Sequence, residues 1–118
     1  MSKNVVIIDD DESIREVVTM IVDTLGYQTI SLPSCKDPKE ILGHKPQLVI
    51  MDLWMPGVGG EELTTKLKKN NATKDIPILI MSASNEAKKV ADRIGADGCL
   101  LKPFDIDELE QVVHSYLL

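Results

Sequence analysis

The chain has 118 residues, with 13 Lys+Arg against 19 Asp+Glu and a formal net charge of -6. That length fits one domain, 1–118, large enough to bury a core without disulfides or metals, and the acidic balance argues against direct nucleic-acid binding. The apolar runs are too short to span a membrane, the start Met1-Ser2-Lys3-Asn4 lacks a secretory leader pattern, and Cys35 and Cys99 fit no zinc or redox spacing, which together predict a cytoplasmic protein.

Val5-Val6-Ile7-Ile8 is the first predicted strand, because short continuous runs rich in β-branched residues suit a strand buried on both faces. Ile14, Val17, Val18, Ile21, Val22 and Leu25 then recur at helical spacing, with Ser13 and Glu16 as a capping box and Gly26 as the stop. Tyr27–Leu32 alternates and reads as an edge strand. A weaker helix is predicted over Cys35–Leu42, followed by a strand over Leu48–Met51. A second weak helix covers Glu61–Asn70, and Lys66, Lys68, Lys69 and Lys74 there read as a solvated face. Ile78–Met81 is the fourth strand; Ala87, Val90, Ala91 and Ile94, closed by Gly95, form the next helix. Cys99-Leu100-Leu101 is the last strand. Ile106, Leu109, Val113 and Leu117 form the final helix, with Asp105 and Glu108 as its capping pair. Met51, Met55 and Met81 read as core fillers, Asp97, His44 and His114 as solvated surface, and Cys35 as chemically silent.

This alternation predicts an α/β fold with a parallel sheet and helices on both faces. Ligands of such sheets bind beyond the carboxyl ends of the strands. Reading just past each run gives Asp9 and Asp10, then Asp52, Ser82 and Lys102. Two carboxylates about 4 Å apart repel by about 1 kcal/mol in bulk water and about 4 kcal/mol at an effective dielectric near 20. Three in one pocket call for a cation, and a hard oxygen donor set with open positions favours Mg²⁺. A carboxylate beside a metal, a lysine and a hydroxyl is equipped to attack a phosphoryl group and hold the product. Singly, these residues have plainer readings: the acidic run can start a helix, Asp52 can cap a turn before Pro56, and Ser82 or Ser84 can cap a helix. Asp11 is assigned to the helix start and Ser84 to capping.

In order, Asp9-Asp10, Asp52-Leu53-Trp54-Met55-Pro56, Ser82-Ala83 and Lys102-Pro103-Phe104 resemble the response-regulator receiver domain of two-component signalling over essentially the whole chain. The resemblance implies a doubly wound, flavodoxin-like (βα)5 fold with strand order 2-1-3-4-5. It makes Asp52 the phosphoacceptor, taking a phosphoryl group from a phosphohistidine on a sensor histidine kinase or phosphotransfer protein. Asp10 would bind Mg²⁺ directly, Asp9 mostly through water, Asp52 as a further ligand and Trp54 through its carbonyl. Ser82 and Lys102 would each hold a phosphoryl oxygen, and the Lys102–Pro103 peptide would be cis. The protein would be a switch and not an enzyme. It would signal to an effector through the Ala87–Ile94 helix, the Cys99–Leu101 strand and the Ile106–Leu117 helix.

Cys99 stands where that family usually has Tyr or Phe, so the readout is expected through the Ser82–Glu86 loop instead. Trp54 is expected to shield a phosphoaspartate from water. Two rival readings remain at this point: a receiver-like interaction module that is never phosphorylated, and a haloacid-dehalogenase-type phosphatase built on Asp9-Asp10-Asp11-Glu12-Ser13 with Asp9 as nucleophile.

Overall fold

A computed structural model describes residues 3–54 and 59–117. Met55 and Pro56 of the expected motif lie outside the described residues, as does the expected core role of Met55. Strands and helices alternate: β1 (Asn4–Ile8), α1 (Glu12–Thr24), β2 (Gln28–Leu32), α2 (Pro38–Leu42), β3 (Leu48–Asp52), α3 (Gly60–Lys69), β4 (Ile78–Ser82), α4 (Ala87–Ile94), β5 (Gly98–Leu101) and α5 (Ile106–Leu117). The strands pair in parallel in the order β2-β1-β3-β4-β5, so β2 is an edge, as its alternation predicts. No helix among the described residues is long and apolar enough to cross a membrane.

Successive side chains of a strand point to opposite faces, so a continuously apolar strand feeds two cores. Val5, Ile7, Leu48, Ile50, Leu79 and Met81 pack with Val18, Ile21 and Val22 of α1 and Leu109, Val113 and Leu117 of α5. Val6, Ile8, Val49, Met51, Ile78 and Ile80 pack on the other face with Ile41 of α2, Leu63 and Leu67 of α3, and Ala87 and Ala91 of α4. Burying each such large side chain is worth about 1.5–3 kcal/mol.

Several local expectations need correction. The cap of α1 is Asp11, not Ser13: Asp11 is extended (φ -82, ψ 108) and its carboxylate accepts from Ile14 N, while Ser13 already lies inside the helix. Glu12 therefore opens the first turn. The second helix does not begin at Cys35. Pro38 has no N–H to give and the Asp37 carboxylate accepts from Lys39 N at 2.9 Å, so the helix starts at Pro38. Cys35 sits buried ahead of it, its thiol donating to Asp37 O. Ile106 opens α5 but is 57% exposed, leaving Leu109, Val113 and Leu117 as its core face. The capping of that helix holds: Asp105 Oδ1 accepts from Glu108 N at 2.9 Å.

Lys68 and Asp97 are not solvated bystanders. Lys68 Nζ donates to Asp97 Oδ2 at 2.7 Å and to Ile76 O at 3.0 Å, while the same Asp97 oxygen accepts from Ile78 N at 2.8 Å. Together they fasten α3 to the starts of β4 and β5. His114 is half-buried, with Nδ1 at 3.1 Å from Tyr27 Oη.

Candidate functional site

Register alone brings the acids together. In the β1–β3 pair Ile8 lies opposite Met51, so one further step along both strands sets Asp9 beside Asp52. In the β4–β5 pair Ser82 lies opposite Leu101, which carries Lys102 just beyond the same edge. β3 and β4 each run one residue further than expected, so Asp52 and Ser82 are the last residues of their strands and not the first beyond them.

Asp9 and Ser82 are fully buried, Asp52 is 9% exposed and Asp10 is exposed. One carboxylate oxygen from each of Asp9, Asp10 and Asp52 lies within 4.8 Å of the others. Lys102 Nζ stands 3.2 Å from Asp9 Oδ2 and 3.5 Å from Asp52 Oδ1, bridging both. Asp9 Oδ1 accepts from Asp11 N at 2.9 Å, so both oxygens of this buried carboxylate are engaged. The Lys102–Pro103 peptide is cis. Asp52 is held above the ordinary carboxylate range because burial penalises its charge; Lys102 opposes this and Asp9 and Asp10 reinforce it.

The hydroxyl of Ser82 accepts from Ser84 N at 3.2 Å, and that of Ser84 accepts from Glu86 N at 3.1 Å. Ser84 thus serves the entry to α4, whose own N-cap, Glu86, makes no side-chain cap bond. Trp54 is 54% exposed on leaving β3 and lines an open groove with Leu53, Gly59, Glu62, Thr65 and Lys66. Cys99 packs half-buried on the face of α2, α3 and α4, and burial pushes its thiol up, with Asp92 adding to the shift and Lys88 opposing it.

Two residues near the site escaped the sequence reading. Arg15 Nη1 donates to Asp9 O at 2.6 Å. Its signal was position: six residues past Asp9, on the first turns of a helix that starts beside the acids. Gly60 is the second. A Cβ there would lie 2.3 Å from Asp52 O and 2.9 Å from Leu53 Cα, so only glycine lets α3 start against the exit of β3. The Gly59-Gly60 pair was visible, but the partner it approaches was not.

The carboxylates of Asp9, Asp10 and Asp52 offer an all-oxygen donor set beside the Lys102 ammonium, an acidic pocket that fits a hard divalent cation. Residues 5–114 match the family model described as the response regulator receiver domain. The chain belongs to the response regulator receiver family. Receiver domains are signalling switches of two-component systems that pair with histidine kinases or phosphotransfer proteins, and they generally bind Mg²⁺ at such an acidic pocket.

Among receiver relatives, the chain is 31% identical over 112 residues to the phosphate regulon transcriptional regulatory protein PhoB of Pseudomonas aeruginosa, covering 92% of this chain and 49% of that protein. It is 31% identical over 120 residues to sporulation initiation phosphotransferase F of Bacillus subtilis, covering 99% and 95%. The chain spans about half the length of the first curated relatives it matches. Among solved structures it is similar to the chemotaxis protein CheY4 of Vibrio cholerae, with a TM-score of 0.84 at 27% identity over 98% of this chain and 99% of that one. It is also similar to the receiver domain of NtrX from Brucella abortus, with a TM-score of 0.86 at 26% identity over 96% and 97%. The flavodoxin-like fold with order 2-1-3-4-5 is thus shared with these receivers.

Proposed function

We propose that this receiver domain takes a phosphoryl group onto Asp52 from the phosphohistidine of a sensor histidine kinase or phosphotransfer protein in the cytoplasm. The observation that carries the reading is the position of Asp52: 9% exposed, 3.5 Å from Lys102 Nζ, and within 4.8 Å of oxygens of Asp9 and Asp10. An Asp52 oxygen forms the new O–P bond while the P–N bond breaks, and its electron pair stays with the departing imidazole. Lys102 sits where it can pair with an oxygen of the transferred group. Ser82 uses its oxygen to accept from Ser84 N, which leaves its own proton available for another phosphoryl oxygen. Asp9, Asp10, Asp52 and the Trp54 carbonyl would hold Mg²⁺, which supplies neutralising charge to the phosphoryl oxygens when bound.

A phosphoryl group adds roughly 1.5 to 2 negative charges, enough to rearrange the hydrogen bonds around Ser82 and bias α4. We assign the output to the face of α4, β5 and α5. An apolar groove beside the site supports docking of the phosphodonor: Val17 of α1, 52% exposed, lines it together with Ile14, Ala83, Pro103 and Phe104. The phosphatase reading fares worse, because its nucleophile, Asp9, is fully buried with both carboxylate oxygens occupied.

The test is incubation with phosphoramidate, a small P–N donor, with and without Mg²⁺, followed by borohydride reduction. Homoserine at position 52, formed only with Mg²⁺, is the expected result. Homoserine at position 9 or 10, or at none, overturns the assignment.

A further inference from the structure

We propose that Arg15 is a positioning residue for the acidic pocket, setting the direction of Asp10 by holding the peptide that joins it to Asp9. The inference rests on the reading of this pocket as a Mg²⁺ site.

Asp9 is anchored at every polar atom. Its N–H donates to Leu32 O at 3.2 Å, its Oδ1 accepts from Asp11 N at 2.9 Å, and its Oδ2 from Lys102 Nζ at 3.2 Å. The carbonyl is the fourth, and it accepts from Arg15 Nη1 at 2.6 Å. Arg15 is itself tied back, since its N–H donates to Asp11 O at 2.9 Å. A closed ring results, running from Asp9 through Asp11 and Arg15 to Asp9 again.

The carbonyl oxygen of Asp9 belongs to the planar peptide whose other end is the Asp10 nitrogen. Fixing that oxygen fixes the plane, and so the direction in which the Asp10 Cα leaves β1. Asp10 is exposed and lacks the burial that immobilises Asp9. Its carboxylate nevertheless shares the 4.8 Å cluster with Asp9 and Asp52. A rigid, multiply donating guanidinium on the first turns of α1 suits the task. Arg15 spends this bond on a carbonyl and not on a carboxylate, as a positioning role requires.

Electrostatics and positioning predict opposite signs. Arg15 is a cation beside a cation site, so its charge alone weakens Mg²⁺ binding, and removing it would tighten binding. If its work is to hold the Asp9–Asp10 peptide, removing it loosens binding. Partners that orient metal ligands typically contribute 10–100-fold in metal affinity, and we expect about tenfold here.

The experiment is calorimetric titration of MgCl₂ into the wild-type chain, Arg15→Ala and Arg15→Lys at fixed ionic strength, with thermal melts of each. The expected result is a dissociation constant raised about tenfold in Arg15→Ala and largely restored in Arg15→Lys, with melting of both variants close to wild type. An unchanged or lowered constant in Arg15→Ala overturns the inference while leaving the pocket reading intact. Absence of Mg²⁺ binding by the wild-type chain overturns the pocket reading itself.

Discussion

Lys102 lies 93 residues from Asp9 in the chain, yet its Nζ stands 3.2 Å from Asp9 Oδ2 and reaches Asp52 Oδ1 on the other side at 3.5 Å. One ammonium thus faces two carboxylates, one of them fully buried. Replacing it in Lys102→Ala strands the Asp9 charge in the interior, at a cost of about 1–3 kcal/mol. Mg²⁺ added to that variant should raise its melting temperature by more than it raises that of the wild type, because the metal then answers a larger uncompensated charge. Thermal melts with and without MgCl₂ check this, and equal shifts would contradict it.

Asp52 gives the opposite sign. Its carboxyl is held above the ordinary range, chiefly by burial, so the folded state binds the Asp52 proton more tightly than the unfolded state does. Ionised Asp52 therefore opposes folding at neutral pH, and the penalty fades as pH falls and the group protonates. Asp52→Asn, uncharged throughout, should melt higher than wild type at pH 7, each 1 kcal/mol appearing as roughly 4 °C. The gap should close in the acid range. A variant that melts lower at pH 7 would mean that the Lys102 pair outweighs desolvation.

Gly60 should tolerate no side chain. With a Cβ placed 2.3 Å from Asp52 O, Gly60→Ala must push α3 away from β3, at about 1–3 kcal/mol, and slow phosphoryl uptake with it. Gly43→Ala is the matched control, since its Cβ would meet nothing nearer than Lys39 O at 3.5 Å. Denaturant melts and uptake rates of the two variants would show the contrast.

Stability and chemistry should separate at Asp97. Asp97→Ala removes the acceptor of both Lys68 Nζ and Ile78 N, costing about 1–2 kcal/mol. Asp97 precedes β5 while Lys102 follows it, so the acidic pocket is at the far end of the strand. Uptake by the folded variant should match wild type.

Cys35 is 1% exposed, and burial pushes its thiol up from 9.0 to about 11. The unfolded thiol ionises first, so the fold loses stability as pH rises from 9.0 toward about 11. Denaturant melts across that window should show a shallower decline in Cys35→Ala.

Much of this architecture is legible in the amino-acid sequence. Strands buried on both faces announce themselves as apolar runs, and a parallel sheet gathers their carboxyl ends, so Asp9, Asp52, Ser82 and Lys102 could be read as one site. Runs of apolar residues say little about where a helix begins. Asp11 displaced Ser13 as a cap because a carboxylate one residue ahead of the helix reaches the free N–H of Ile14. Lys68 and Asp97, 29 residues apart, look like surface charges until α3 and the start of β5 are seen side by side. Arg15 was hidden for a related reason: its partner is a backbone carbonyl, which has no letter in the sequence.

Phosphoryl transfer to Asp52 is tested by the intact mass of the chain after incubation with Mg²⁺ and a small phosphodonor, measured beside Asp52→Asn. The wild type should carry a single phosphoryl adduct and the variant none. No adduct on wild-type chain that binds Mg²⁺, or an equal adduct on both proteins, would contradict it.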